Sequence, residues 1–176
     1  MELANTHKDI FLGFKAYSES DVDIFKGREQ DSEYLYSLVA NKDYVLCYAE
    51  SGEGKSSLIE AGLVPRLKAN RYFPVRISFT DEEYNNTQID FDKVIKDRIL
   101  DAVKNQQMSV RQQPLSFISK TDSVLNDKFS DDLWWFLRHN ELSLYGISFP
   151  IVLIFDQFEE VMNYPNKYRK MALREI

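Results

Sequence analysis

The sequence predicts an α/β domain, a parallel sheet flanked by helices. Three observations predict it. Short apolar runs alternate along the chain with stretches of helical periodicity. A loop with two glycines, "AESGEGKSSL" at 49–58, stands between one such run and a helical stretch. The strongest apolar run, "FPIVLIFD" at 149–156, has five consecutive apolar residues and then an acid.

The elements follow in order. Residues 1–25 scatter Phe11, Phe14, Tyr17 and Phe25 among polar residues and read as a strap packed on a domain that spans 26–176. "EQDSEYLYSLVA" (29–40) places Leu35, Leu38 and Val39 at helical spacing. "DYVLCYA" (43–49) is short, apolar and bounded by polar residues, the pattern of a buried strand. "KSSLIEAGLVPRLKAN" (55–70) reads as a helix that Pro65 should end or kink. "YFPVRISFT" (72–80) alternates around Val75, Ile77 and Phe79 as a second strand. "DFDKVIKDRILDAVKNQ" (90–106) is an amphipathic helix with Val94, Ile95, Ile99, Leu100 and Val103 as its stripe. The stretch 107–130 is polar and mixed, a loop with short helical pieces. "SDDLWWFLRHN" (130–140) opens on a Ser/Asp cap signal and continues as an apolar helix. Its Trp134 and Trp135 point about 100° apart, so one should enter the core. The strand 149–156 and a closing helix, "YRKMALREI", complete the rhythm.

Composition narrows the function classes. The net charge is −6 and no long Lys/Arg run offsets it, which speaks against a nucleic-acid partner. The densest basic patch, Lys167, Arg169, Lys170 and Arg174, reads as a solvated helix face. A single cysteine, Cys47, excludes an internal disulfide, fits a cytoplasmic location and reads as a small core thiol. His7 and His139 lack neighbours at zinc-ligand spacing. No stretch approaches the roughly 20 apolar residues of a membrane span, and "MELANTHKDIF" lacks a signal-peptide layout. No repeat or low-complexity tract is present.

The phosphate-loop pattern G-x-x-x-x-G-K-[ST] matches residues 49–56, except that Ala49 stands at the first glycine. A bare G-K-[ST] arises by chance in roughly one in ten chains of this length. The strand before it and the helix after it give the match its weight. Gly52 and Gly54 let successive backbone N–H groups face one anion. The new helix adds its partial positive charge. Lys55 would reach the β- and γ-phosphates, Ser56 would ligate Mg²⁺ and Ser57 would touch the α-phosphate. Alanine is tolerable at 49 wherever φ is negative. An ordinary strand–turn–helix is the competing reading.

"IVLIFDQFEE" delivers Asp156 to the carboxyl edge of the sheet, where open α/β sheets bind ligands. A carboxylate there can hold Mg²⁺ through a water. Glu159 or Glu160 could orient or deprotonate an attacking water. Solvated acids at a helix start are the bland alternative.

Together "FKGREQDSEYL" (25–35), "AESGEGKSSLIEAGLVPRL" (49–67) and "PIVLIFDQFEEV" (150–161) resemble the STAND class of P-loop NTPases, in its bacterial novel branch related to NACHT and AAA-type ATPases. "LWWF" is similar to a leucine–tryptophan–aromatic helix of that branch. The resemblance covers nearly the whole chain. It implies nucleotide binding by Gly27 and Arg28 beside adenine and ribose. It implies a phosphate loop of Ala49, Glu50, Ser51, Gly52, Glu53, Gly54, Lys55, Ser56 and Ser57. It implies Mg²⁺ at Ser56 and Asp156, and turnover through Lys55, Glu159 and Glu160. Ala49 departs from the family's usual glycine.

The resemblance further implies an ATP-driven signalling switch, with homo-oligomerisation on activation and links to antiviral defence. In this ATPase division the sheet runs 5-1-4-3-2. The fourth strand would lie between the acidic strand and the phosphate-loop strand, and neither it, the fifth strand nor the lid is legible here. The expectation is an N-terminal portion of a core that further domains or a partner chain complete, hydrolysing ATP poorly alone. A vestigial scaffold or oligomerisation module is the alternative. A small-molecule kinase is a third, against which the acidic 81–92, "DEEYNNTQIDFD", speaks.

Overall fold

A computed structural model describes residues 15–78, 90–109, 115–120 and 132–158. The chain divides into two compact units, one through Asn70 and one from Arg71, each taken by itself here.

The first unit is helical. A 3-10 turn, Glu19–Asp21, precedes helix α1, Glu29–Asn41. A second helical run begins with α2, Lys55–Ser57, widens into a π-helical stretch, Leu58–Leu63, and ends as α3, Val64–Ala69. Its buried face carries Leu58, Ala61, Leu63, Val64 and Leu67. Pro65 does not end this run; it lies in the first turn of α3, directly after the π stretch. The wider π turn directly upstream, with the Val64 N–H donating to the Ile59 carbonyl, is a device that accommodates a ring which would clash four residues back.

Helix α1 packs on the π stretch at one tight point. Ser32 is 1% exposed and its hydroxyl donates to the Arg28 carbonyl at 2.7 Å. A Cβ placed on Gly62 would collide with that hydroxyl, and would lie 3.2 Å from the Ser32 Cβ. Glycine at 62 therefore sets how closely the two helices approach. The strap is tied to the same run: Lys68 reaches both Glu19 oxygens at 2.7 and 2.8 Å.

The expected strand at 43–49 is corrected. The segment is neither helix nor strand, and Tyr44, Leu46 and Tyr48 are 81–85% exposed. Cys47 is exposed as well, so it is not a core thiol. An apolar run becomes a buried strand only where a ladder partner takes up its N–H and C=O groups. Among the described residues no strand pairs with it.

The second unit contains a two-stranded parallel sheet. β1, Phe73–Ile77, pairs with β5, Ile151–Phe155, with Phe73 opposite Ile151 and Ile77 opposite Phe155. Between them lie α4, Phe91–Ser109; β2, Ser116–Ser119; α5, Leu133–His139; β3, Asn140–Leu144; and β4, Ile147–Ser148. The Phe73 N–H donates to Pro150, so the odd residues of β1 bond toward β5. The missing N–H of Pro74 falls on the opposite side and makes that side a poor template for another strand.

Phe73, Val75 and Ile77 are buried against Phe91, Ile95, Ile99 and Val103 of α4, close to the stripe the periodicity predicts. Asp132 caps α5, accepting from the Trp135 N–H at 2.6 Å. The two tryptophans behave otherwise than expected. Leu133 and Phe136 face the core, Trp134 is 62% exposed and Trp135 stacks on His139. An antiparallel sheet of β2, β3 and β4 stands where the sequence reads as loop and helix end. Tyr145 and Gly146, both at positive φ, turn β3 into β4.

Gly62→Ala is expected to destabilise the chain by about 1–3 kcal/mol in chemical denaturation, the usual cost of overpacking. Ser32→Ala, which removes the colliding hydroxyl, should recover part of that loss in the double variant.

Candidate functional site

In the first unit the backbone turns twice into left-handed conformation, at Gly52 (φ 88°) and Gly54 (φ 75°). A Cβ on Gly52 would meet nothing within 4 Å, so conformation rather than space calls for glycine there. Gly54 is the N-cap residue of α2, and its carbonyl accepts from Leu58 N–H at 2.8 Å. The N–H groups of the first helical turn have no partner within the helix. Left-handed glycines just ahead of such donors are backbone of the kind that can receive an anion.

Lys55 closes this turn. Its Nζ donates to the carbonyls of Ala49 at 2.7 Å and Glu50 at 2.9 Å. What position 49 supplies is therefore a carbonyl, and Ala49 is not among the residues at positive φ. Alanine meets both requirements. Glu53 N–H donates to the Glu50 carbonyl at 3.4 Å and tightens the turn.

Two elements brace the loop. Gly27 turns the chain at φ 85°, and its N–H donates to the Glu29 carboxylate at 3.1 Å. The Glu29 carboxyl is held below the usual range by its own N–H and that of Gly27, with help from Lys26 and Arg66. Arg28 is thereby placed at the head of α1. It pairs with Asp31 and its Nη1 reaches the Glu53 carbonyl at 3.5 Å. The strap supplies the second brace: Tyr17 N–H donates to the buried Ser57 hydroxyl at 3.1 Å. Ser51 is exposed in the loop and Ser56 is half-buried at the start of α2.

In the second unit β5 delivers Asp156, one-fifth exposed, to the strand end. Its N–H donates to the Ile77 carbonyl at 3.0 Å, which continues the ladder one residue past β5. Oδ1 accepts from Gln157 N–H at 3.0 Å, and Gln157 is left-handed at φ 54°. Oδ2 pairs with Arg76 of β1. The sequence reading does not single out Arg76. Its signal is a lone cation at the outward position of a strand whose alternate residues are buried. Glu159 and Glu160 lie outside the described residues.

Each unit offers oxygen of the kind magnesium takes, a serine hydroxyl in the first and the Asp156 carboxylate in the second. Serine hydroxyl and carboxylate are hard oxygen ligands, and Asp156 already draws a cation to Oδ2. Among the described residues no cluster of three or more His, Cys, Asp or Glu could hold a metal by itself. Magnesium held by one or two protein oxygens and substrate phosphates needs no such cluster. No helix among them is long and apolar enough to cross a membrane.

A family model described as Novel STAND NTPase 1 matches residues 11–174. No curated protein and no solved structure matches the chain.

Because Ala49 contributes its carbonyl, Ala49→Gly should leave ATP affinity within about two-fold of the parent in a calorimetric titration. A gain beyond ten-fold would show that the missing glycine limits the loop.

Proposed function

The chain belongs to the Novel STAND NTPase 1 family, and on that premise we infer that it binds ATP with magnesium as the regulatory module of a signalling switch. The observation that carries this reading is the Lys55 ammonium, held by two loop carbonyls above a backbone cradle with two left-handed glycines. An ammonium so placed can exchange or share its carbonyl partners with phosphate oxygens without moving far.

The roles follow from position. Backbone N–H groups from Gly52 to Ser57 take the phosphates, and Lys55 offsets their charge. Ser56 and Asp156 are the oxygen donors for magnesium, which when bound neutralises charge on the phosphates. Gly27 and Arg28 border the loop and take the nucleoside side. Glu159 and Glu160 follow Asp156 closely enough in sequence for one to orient water. Turnover belongs with further domains or a partner chain, and oligomerisation and a part in bacterial antiviral defence are the wider roles this reading carries. The Arg76 pair on Asp156 favours a second reading, binding without turnover, for as long as that pair persists.

Lys55→Ala should weaken ATP binding by roughly 100-fold, the loss of charge-assisted contacts to phosphate. Glu159→Gln or Glu160→Gln should block turnover by the assembled protein and spare binding. Unchanged ATP affinity in Lys55→Ala, measured by calorimetry, would remove the site assignment.

A further inference from the structure

We propose that Arg76 is a positioning residue that guards Asp156, so that magnesium competes with a guanidinium for that carboxylate. The proposal rests on the reading of Asp156 as the magnesium-associated acid.

Three observations converge. Arg76 lies on β1 directly before Ile77, whose carbonyl accepts the Asp156 N–H, so the ladder holds the two residues side by side. Alternation along β1 buries Phe73, Val75 and Ile77 and turns Arg76 outward, half-exposed, at the same strand end. The two carboxylate oxygens are then divided between different donors. Oδ1 is fixed by the Gln157 N–H, and Oδ2 is taken by the guanidinium.

Each carboxylate oxygen has two acceptor sites, and the Gln157 N–H uses one of those on Oδ1. On Oδ2 a metal or a metal-bound water meets a full positive charge already in place, the Arg76 guanidinium. A strand-borne arginine is a stronger competitor than a mobile lysine, because its planar fork is preorganised and always charged. The cost of losing this pair is set against magnesium binding, which lowers the contribution of the metal to nucleotide affinity. The pair itself offsets the charge of Asp156 and holds the side chain in place.

The test is the magnesium factor, the ratio of ATP dissociation constants measured by calorimetry without and with magnesium. Arg76→Gln should raise this factor by roughly two- to five-fold, the worth of a partly exposed ion pair. Arg76→Lys, which keeps the charge and loses the fork, should fall between Arg76→Gln and the parent. Asp156→Asn should bring the factor close to one, and adding Arg76→Gln to it should then change nothing. Thermal melting checks that each variant folds. The guard is overturned if Arg76→Gln leaves the factor unchanged while Asp156→Asn lowers it. It is also overturned if Arg76→Gln weakens ATP binding in the absence of magnesium, which would make Arg76 a phosphate contact. An unchanged factor in Asp156→Asn would instead overturn the metal role of Asp156, and the guard with it.

Discussion

The hold of Lys55 on the carbonyls of Ala49 and Glu50 is the interaction on which the functional half of the first unit depends. An ammonium six residues downstream of its acceptor can fold back only if the chain between them reverses. Gly52 and Gly54 supply that reversal with left-handed backbone that other residues adopt at a cost of roughly 1–2 kcal/mol each. The helix then starts at Lys55 and leaves its first N–H groups facing the concavity. The position of that helix is set in turn by the Ser32–Gly62 approach, which brings α1 close. Arg28 at the head of α1 lies within reach of the loop for that reason. A packing contact two turns into a helix is thus connected to the geometry of the loop at 49–54.

The legibility of the sequence varied with how local the determining physics was. The turn at 49–58 was readable because its geometry is written in consecutive residues: two glycines that go left-handed, a lysine and a helix start. The α4 stripe was readable for a similar reason, since periodicity alone picks out Ile95, Ile99 and Val103, which are buried; it misses the buried Phe91 and includes Val94 and Leu100, which are half-buried. Segment 43–49 was misread because burial of a strand is a property of its partner as well as of its own pattern. With no ladder partner among the described residues, Tyr44, Leu46 and Tyr48 lie exposed. The antiparallel sheet of β2 to β4 escaped notice because Ser116–Ser119 is four residues long and mostly exposed, with too little alternation to mark it. In α5 the larger side chains drew attention, while Leu133 and Phe136 occupy the buried positions.

Arg76 shows a different limit. Its meaning comes from register. Only the parallel pairing of β1 with β5 places it beside Asp156, and nothing within "YFPVRISFT" announces a partner 80 residues away. Membership of the Novel STAND NTPase 1 family does not say what pairs with the acid at the end of β5. In a one-fifth-exposed position the carboxylate gains from a nearby cation, and the neighbouring strand provides one.

The central claim is that the backbone from Gly52 to Ser57 forms a phosphate cradle, and amide hydrogen exchange reads that backbone directly. Adding ATP should slow exchange at the amides of residues 52–57, while adenosine, which lacks phosphates, should leave them unchanged. ATP that binds at saturation without slowing exchange at these amides would contradict the account.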